Sequence, residues 1–487
     1  MSGINLNNSG FGVLVKRKLI FLCVSGIAMC GVPAYCQSAA GTSQSVVADV
    51  AQGDLNRDAS VDVAAMSKYE VSVRGLLYER KFDDLDRIAD ADRSSKAKFA
   101  GGVWKLYVLY QALKVPVEGQ NAPETAWEKH LNALTLWVGT NRDSVTAHVA
   151  LAEALMNYTA KLQNDSSSRK VGEGKNVDSW ARIREVQHMG ELILKRASTL
   201  ATKCPHFYFV MLEAQELRDP VMAKTHFEKA IAFEPAYFPY YRVHAVFQRP
   251  EWEGEEGQAE KFADDISKRI GGKQGAAIYF EIAAALNCSP NTQRFPVAKM
   301  SWDRIQEGYA ALEELYGPSL YKMNQFAYLA IRYDQVMSAS KMLERIGERG
   351  DEFTWGSITF FEYNRSWAVA PPEIVELRAK SSANVTTSEG QKYQTRIYNE
   401  LGHYFIPAIR RCSGELKKGP FMGSDLFLRM SNTGQIEEVR GWPKTPFVEC
   451  VMPEFKGTLS PPPVRAPNES GPYWVNISQK PGLGMEP

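Results

Sequence analysis

The strongest constraint on the fold is a repeated apolar pattern that runs from Met66 to about residue 380. Apolar side chains recur every three or four positions, which is the period of an amphipathic α-helix. Short polar segments and prolines separate the helical segments, and Pro205, Pro220 and Pro235 stand where helices are expected to begin. Neighbouring helices must bury their apolar faces against each other. The pattern therefore predicts a mostly α protein, an irregular α-solenoid of helix hairpins.

The pattern changes to short strands near the C-terminus. In "SDLFLRM", Leu426, Leu428 and Met430 are spaced to face one side of a strand. The segment "SNTG" is suited to a hairpin turn in which Gly434 adopts a positive φ, and "QIEEVRGW" would be the returning strand. A short apolar helix, "PFVECVMPEF", and a final strand, "YWVNI", follow. We predict a small α+β domain of order α-β-β-α-β, with the final strand in the same sheet as the hairpin.

The N-terminus has the three parts of a signal peptide. Basic residues at positions 16–18 precede an apolar stretch, Leu19 to Val32, and small residues follow it. This stretch is short for a membrane-spanning helix, which needs about 20 residues. We expect cleavage near Cys36 or Ala39, no stable membrane span afterwards, and a periplasmic or secreted mature chain. An uncleaved membrane anchor is the alternative.

These patterns divide the chain into five segments. The predicted signal peptide, flexible linker, helical-repeat domain, second linker and α+β domain occupy residues 1–36, 37–65, 66–380, 381–394 and 395–480, in that order. The first linker is predicted because its sequence has no aromatic residue and no sustained period. A formal net charge of +1 gives no reason to expect nucleic acid as a partner, because such proteins usually carry a concentrated basic face.

The helical part of the chain resembles known repeat families. Pro205 and Pro235 are separated by about the length of a tetratricopeptide repeat, and "AKTHFEKAIAFEP" resembles the second helix of that repeat and its closing proline. Blocks such as "GGVWKLYVLYQAL", "DSVTAHVALAEAL" and "GYAALEELYGPSLYKMNQFAYLAIRYDQVMSA" resemble a bacterial family of domains of unknown function, related to tetratricopeptide and Sel1-like repeats. The resemblance covers roughly residues 66–370. It implies a fold and no chemistry.

The C-terminal segment resembles the C-terminal domain of TonB-type energy transducers. The similar pieces are "AIRRC", the strand-turn-strand with "NTGQIEEV", the helix "FVECV" and the proline run before the last strand. The membrane helix and the long proline-rich spacer of the transducers have no counterpart here. The resemblance therefore implies a periplasmic interaction domain and does not extend to energy transduction.

Seven cysteines are present, and three of them lie within or beside the predicted signal peptide. The four others are Cys204, Cys288, Cys412 and Cys450. Export would permit a disulfide. Cys412 and Cys450 fall on two predicted helices that would pack on the same face of the small sheet, so we predict a disulfide between them. Two buried thiols are the alternative.

The sequence contains no recognised catalytic motif. Zinc-protease, serine-hydrolase, phosphate-loop and kinase signatures are not found. The acidic residues between Asp83 and Asp92 alternate with basic residues, which is typical of a solvated helix face with ion pairs between turns. A pair of carboxylates for glycoside hydrolysis is the alternative. We expect no catalytic residues, no metal ion and no cofactor.

One segment combines aromatic and charged residues in the way that binding hot spots do. The candidate partner-binding lip consists of Tyr237, Tyr240, Tyr241, Arg242 and Trp252. Packing between helices, beside a solvated acidic loop, is the alternative explanation of the same residues.

The expected function is that of an exported, non-enzymatic protein-protein interaction scaffold of the bacterial cell envelope. Its partners would be proteins or peptides, bound in a groove of the solenoid or added as a strand at an edge of the terminal sheet. The alternative is a cell-envelope hydrolase whose site is assembled from residues remote in sequence. A cluster of titratable groups with shifted pKa values in a deep pocket would favour the hydrolase.

Overall fold

The computed structural model describes residues 60–168, 176–216, 219–252, 254–288, 295–416, 423–463 and 471–479. This part of the chain is mostly helical and has one three-stranded antiparallel sheet near the C-terminus, which confirms the predicted fold at this level. The chain divides into two compact units, Met1–Met323 and Asn324–Pro487. The predicted signal peptide and the predicted linker up to residue 59 lie outside the described residues.

The first unit is built from successive α-helices. In chain order they are α1 (Ser60–Tyr78), α2 (Phe82–Ser95), α3 (Lys105–Leu113), α4 (Glu124–Thr140), α5 (Val145–Ser168), α6 (Asn176–Thr199), α7 (Pro205–Glu216), α8 (Pro220–Phe233), α9 (Pro239–Phe247), α10 (Gln258–Ile270), α11 (Gly272–Asn287) and α12 (Trp302–Tyr316). Helix α13 (Leu320–Arg332) contains the boundary between the units. Helix α1 thus begins within the predicted linker at 37–65.

Two of the three prolines that are expected to begin helices do so. Pro205 and Pro220 are the first residues of α7 and α8, positions at which a missing N–H removes no intrahelical hydrogen bond. The carboxylate of Asp219 caps α8 by accepting hydrogen bonds from the backbone nitrogens of residues 221 and 222. Pro235 differs, because α9 begins at Pro239 and Pro235 lies in the turn before it.

Helix α3 forms part of the core of the first unit. Every residue from Leu106 to Leu113 is buried, including Gln111. A helix that is buried on all sides needs an almost wholly apolar surface, and "LYVLYQAL" has one polar residue.

The close packing of α12 against α11 depends on a small residue, because a Cβ at Gly308 of α12 would overlap the carbonyl oxygen of Ala276 in α11.

The second unit contains the remaining elements. These are α14 (Val336–Ile346), α15 (Glu352–Trp355), α16 (Ile358–Ala368), α17 (Pro372–Asn384), α18 (Ser388–Leu416), β1 (Ser424–Met430), β2 (Ile436–Trp442), α19 (Pro446–Val451) and β3 (Tyr473–Gln479). From α18 onward the order is α-β-β-α-β. The segment predicted as a linker, 381–394, contains the end of α17 and the start of α18.

The three strands are antiparallel in the order β2-β1-β3, so the final strand lies beside the hairpin. Gly434 adopts a φ of 87° in the turn between β1 and β2. A side chain there would also collide with the carbonyl oxygen of Ser460, so both the backbone conformation and the available space require glycine.

Both faces of the sheet are covered within this unit. Leu426, Leu428 and Met430 of β1 face a core formed with α18 and α19, as their spacing predicts. On the opposite face, Phe427 and Trp474 pack against side chains of α17. The sheet is therefore a buried layer, and its edges are the places where its backbone can meet a partner.

Candidate functional site

The outer edge of β3 is closed by side chains from α17 and α18. Four hydrogen bonds satisfy backbone groups there: Asn384 Nδ2 to Trp474 O (2.8 Å), Gln394 Nε2 to Asn476 O (2.8 Å), Tyr398 OH to Asn476 O (3.2 Å) and Ser478 N to Tyr398 OH (3.3 Å). A strand from another molecule would have to displace these bonds. This edge is unsuited to strand addition.

The outer edge of β2 is closed only at its start. The backbone of Ile436 donates to Thr458 O and accepts from Gly457 N, both at 2.9 Å. From Glu437 to Trp442, no backbone hydrogen bond leads to any described segment other than β1. At roughly 3.3 Å per residue, this open stretch is about 20 Å long.

The register identifies the residues of β2 that carry outward backbone groups. The carbonyl group of Asn476 on β3 points away from β1. Its cross-strand partner on β1, Phe427, therefore directs its own backbone N–H and C=O groups toward β2. The neighbour of Phe427 on β2 is Arg440, whose backbone groups therefore point toward β1. Backbone groups alternate along a strand. Val439 and Gly441 therefore direct their N–H and C=O groups outward.

Charged side chains surround this edge. Arg440 Nε donates to Glu438 Oε1 at 2.7 Å, and Arg429 Nε lies 3.3 Å from Glu438 Oε2 and 3.5 Å from Glu437 Oε2. These ion pairs are partly solvated and contribute little to stability. Charges of this kind limit uncontrolled pairing of edge strands and make pairing selective.

The predicted cysteine pair lies beside the sheet. Cys412 of α18 and Cys450 of α19 have their Sγ atoms 2.04 Å apart and their Cα atoms 5.9 Å apart, which is the geometry that a disulfide requires. Both residues pack against the face of β1 that carries Leu428. Cys204 and Cys288 are buried in the first unit, and neither forms a disulfide with another described residue.

The residues of the candidate lip lie inside the first unit. Tyr237, Tyr240 and Tyr241 have no exposed surface, and Trp252 is 5% exposed. Arg242 is largely covered and donates to Glu281. Binding to a partner needs accessible rings, so this burial favours inter-helix packing. The same composition suits a hot spot and a core, because large aromatic rings stabilise both.

The acidic residues of α2 are partly solvated and partly structural. Asp84 and Asp90 pair with arginines one turn away, as the alternating charges predict. Asp86 accepts a hydrogen bond from Asn141 Nδ2 at 2.6 Å, and Asp92 accepts one from the hydroxyl of Tyr69. Burial raises the pKa of Asp92, and the hydrogen bond from Tyr69 opposes that rise.

A buried group of titratable residues lies in the first unit and was not predicted from the sequence. His206 Nε2 is 2.8 Å from Glu153 Oε2, and its Nδ1 is 2.7 Å from the hydroxyl of Tyr237. The ring of Tyr110 stacks on His206 with centroids 4.0 Å apart. Burial, and secondarily the carboxylate of Glu153, raises the pKa of Glu213 to about 8. The only sequence feature that could indicate this buried group is an isolated polar residue within an apolar helical segment.

Among the residues that the structure describes, no three His, Cys, Asp or Glu side chains are grouped so that they could hold a metal ion. None of the described helices is both long enough and apolar enough to cross a membrane.

Compared with protein-family models, with curated proteins and with solved structures, the chain has no match. The resemblances to helical-repeat proteins and to TonB-type domains therefore stay predictions. The candidate site rests on geometry alone, and it is the outer edge of β2.

Proposed function

We propose that the chain is an exported scaffold of the bacterial cell envelope that binds an extended segment of a partner protein along β2. One observation carries this proposal, namely the difference between the two edges of the sheet. Side chains close the edge at β3, whereas residues 437–442 have no backbone partner beyond β1 in the described part of the chain. A partner strand would gain main-chain hydrogen bonds there.

The expected affinity of such a strand is moderate. Val439 and Gly441 offer two donors and two acceptors, and each hydrogen bond contributes a net stabilisation of about 0.5–1.5 kcal/mol. Part of this gain is offset by the ordering of the partner segment. Selectivity would come from two exposed charged residues, Glu437 before the outward residues and Arg440 between them.

The helices of the first unit are assigned to an irregular α-solenoid. Helix α5 packs with α6, α7 with α8, and α11 with α12, and this packing of consecutive helices supports a repeat arrangement. The fully buried α3 is a departure from a regular two-layer stack. An exposed groove in this unit would provide a second contact for the same protein partner.

Export is part of the proposal and has its own test. The chain purified from a periplasmic fraction is expected to begin near residue 37 or 40, after cleavage at Cys36 or Ala39. Peptide mass mapping of the purified chain locates its first residue. Recovery of an intact N-terminus from the membrane fraction would support the uncleaved anchor instead.

Site-specific cross-linking tests whether a partner lies at β2. A photo-reactive amino acid replaces Glu437 at the open edge, and the matched control replaces Asn399, which is exposed on α18. We expect a discrete adduct with an envelope protein at position 437 and none at 399. Equal adducts at both positions would indicate nonspecific contact.

Once a partner is captured, a pair of variants tests the backbone contact. Val439→Pro removes the outward N–H without removing a hydrogen bond to β1. Val439→Ala removes a similar packing contribution and keeps the N–H. We expect Val439→Pro to raise Kd at least tenfold relative to Val439→Ala. Strand addition at β2 is rejected if both variants bind the captured partner equally well.

The hydrolase remains a second candidate because of the buried titratable residues. Glu153, His206 and Glu213 form the kind of group with a raised carboxyl pKa that active sites use. Their side chains are at most 8% exposed, and none of them lines the cavity beside Trp104 and Gln111, so a substrate would need an opening motion. Turnover of labelled peptidoglycan that is lost in Glu153→Gln would favour this function.

A further inference from the structure

The thiol of Cys204 lies in a polar cluster within the first unit and is 1% exposed. The hydroxyl of Tyr110 is 3.4 Å from its Sγ atom. Burial acts to lower the pKa of the Arg93 guanidinium, whereas neighbouring groups, with Cys204 first among them, raise it above its usual value. Thr146 Oγ1 accepts a hydrogen bond from Arg93 Nη2 at 2.7 Å and also bonds to Tyr110. Side chains of α2, α3 and α5 therefore meet at this thiol.

Two neighbours of Sγ favour a negative charge on it. Cys204 stands immediately before Pro205, the first residue of α7, and the N-terminus of a helix carries a partial positive charge. The Arg93 guanidinium carries a full positive charge. Its carboxylate partner, Asp90, is 66% exposed, so water screens the negative charge of that partner. The thiolate is the nucleophilic form of cysteine, and positive neighbours favour it.

Neutral or paired groups also lie near Sγ. Burial is the main reason that the pKa values of Tyr237 and Tyr240 are raised, and Cys204 contributes to both, so these hydroxyls keep their protons. The carboxylate of Glu153 pairs with His206. Burial of Sγ itself opposes a charge on the sulfur. The guanidinium and the helix terminus must offset this burial, which makes Arg93 the residue to test.

Arg93 also has a donor that is not used. Its side chain is 10% exposed, and its Nη1 and Nη2 atoms donate to Asp90 and Thr146. Its Nε atom is buried and has no hydrogen-bond partner among the described residues. A buried donor without a partner is unfavourable, so a ligand that accepts its hydrogen bond would be stabilised there. Residues 201–203, directly before Cys204, are exposed, so a small displacement of this turn would admit a small ligand.

We propose that Cys204 is a modification site, at which a hydroperoxide oxidises the thiol to a sulfenic acid. The thiolate sulfur attacks one peroxide oxygen, so that an S–O bond forms while the O–O bond breaks. The sulfur loses two electrons and the peroxide gains them. The departing oxygen takes up the proton that the thiol has lost and leaves as water or as an alcohol. Arg93 Nε donates a hydrogen bond to this oxygen. The proposal does not depend on the function of the β2 edge.

Cys288 provides a comparison within the same chain. It is also 1% exposed, but it immediately follows α11, and its backbone N–H donates to the carbonyl oxygen of Ala284 in that helix. The C-terminus of a helix carries a partial negative charge, which disfavours a thiolate beside it. The two cysteines are therefore equally buried and stand at opposite ends of their helices. We expect Cys204 to be oxidised at least tenfold faster than Cys288.

Capture of the sulfenic acid tests the proposal directly. The folded full chain, with its disulfide intact, is treated with hydrogen peroxide in the presence of dimedone, which reacts with sulfenic acids. Peptide mass mapping at successive times gives the rate of labelling at Cys204 and at Cys288. In chain denatured with urea, the two rates are expected to be equal, because the folded surroundings are lost. Equal rates in the folded chain, or a faster rate at Cys288, overturn the proposal.

Variants connect the reactivity of Cys204 to Arg93. Arg93→Gln removes the positive charge and the Nε donor, so the labelling rate at Cys204 is expected to fall at least tenfold. Arg87→Gln is the matched control, because Arg87 lies on the same helix and pairs with an aspartate three residues before it, as Arg93 does. The same rate at Cys204 in both variants overturns the assignment. If Arg93→Gln does not fold, the comparison of Cys204 with Cys288 in the wild-type chain decides.

Discussion

Arg378 of α17 and Asp425 of β1 form an ion pair in the interior of the second unit. Nη2 and Nε of the guanidinium lie 2.7 and 2.8 Å from Asp425 Oδ2, and the two side chains are 2% and 1% exposed. The guanidinium also donates to the carbonyl oxygens of Trp367 and Ala368, and Asp425 Oδ1 accepts from Ser478 Oγ at 2.6 Å. The pair thus connects the end of α16, helix α17 and two strands.

We expect Arg378→Met to lower the free energy of unfolding by about 3–5 kcal/mol, because the carboxylate of Asp425 would stay buried without its cation. Hydrogen exchange of the β1 peptides in the full chain, measured across a urea series, reports this change within the second unit. Lys380→Met, on the same helix at an exposed position, is the matched control and should have little effect.

A double variant separates the charge from the packing at the same place. Arg378→Met combined with Asp425→Leu removes both charges, so it should be less destabilised than Arg378→Met alone. Equal or greater destabilisation of the double variant would show that the hydrogen bonds to Trp367, Ala368 and Ser478 matter more than the ion pair.

Reduction of the Cys412–Cys450 disulfide should destabilise the second unit by roughly 4 kcal/mol, because the bond closes a loop with a sequence separation of 38 residues. Urea unfolding with and without reductant measures this difference. The variant with Cys412→Ala and Cys450→Ala is the control, and reductant should not change its stability. When the oxidised chain is denatured without reductant, an alkylating reagent should label Cys204 and Cys288 and leave Cys412 and Cys450 unlabelled.

Two helix-interior glycines in the first unit should respond to alanine in opposite ways. At Gly75 in α1, a Cβ would meet no atom within 4 Å, so Gly75→Ala should stabilise the chain by about 0.5–1 kcal/mol through helix propensity. At Gly308 in α12, the Cβ would overlap Ala276 O, so Gly308→Ala should destabilise it by about 1–3 kcal/mol. Thermal unfolding measures the change in stability for each variant. A change of the same sign in both would contradict the close approach of α12 to α11 at Gly308.

The raised pKa of Glu213, about 8, predicts a pH dependence of stability that has a definite sign. Between the ordinary pKa of a glutamate, about 4.5, and pH 8, the folded state keeps a proton that the unfolded state has lost. The contribution of protonated Glu213 to the free energy of unfolding is therefore complete below pH 4.5 and is lost as the pH rises through 8. Glu213→Gln stays neutral, so its stability relative to wild type should rise from pH 5 to pH 8.

Urea midpoints at several pH values between 5 and 8 measure the effect of Glu213→Gln. Glu185→Gln, at an exposed position of α6, controls for the loss of one carboxylate. If the difference between wild type and Glu213→Gln is the same at pH 5 and pH 8, the carboxyl group does not keep its proton in the folded state.

Features that depend on neighbours in sequence could be predicted. The helices follow from an apolar period that each segment contains, and the positions of Pro205 and Pro220 follow from the geometry of the first helical turn. The turn at Gly434 follows from the tolerance of glycine for a positive φ. The common face of Leu426 and Leu428 follows from strand alternation. In each case the information lies within a few residues of the structure that it specifies.

Features that depend on distant residues could not be predicted. An aromatic ring such as that of Tyr240 suits a hot spot and a core equally, and only its neighbours in space decide that it is buried. Arg378 meets Asp425 across 47 residues, and Asn384 closes the edge at Trp474 across 90 residues. Hydropathy alone does not specify which remote polar groups pair.

The sequence by itself determined the helical segments, the small sheet and the expectation of a cysteine pair beside that sheet. The tertiary structure decided which edge of the sheet is open and which remote polar groups pair, such as Arg378 with Asp425. The physical reason is that apolar periodicity specifies local conformation, whereas hydrogen bonds and ion pairs between remote residues form only after packing has set their distances.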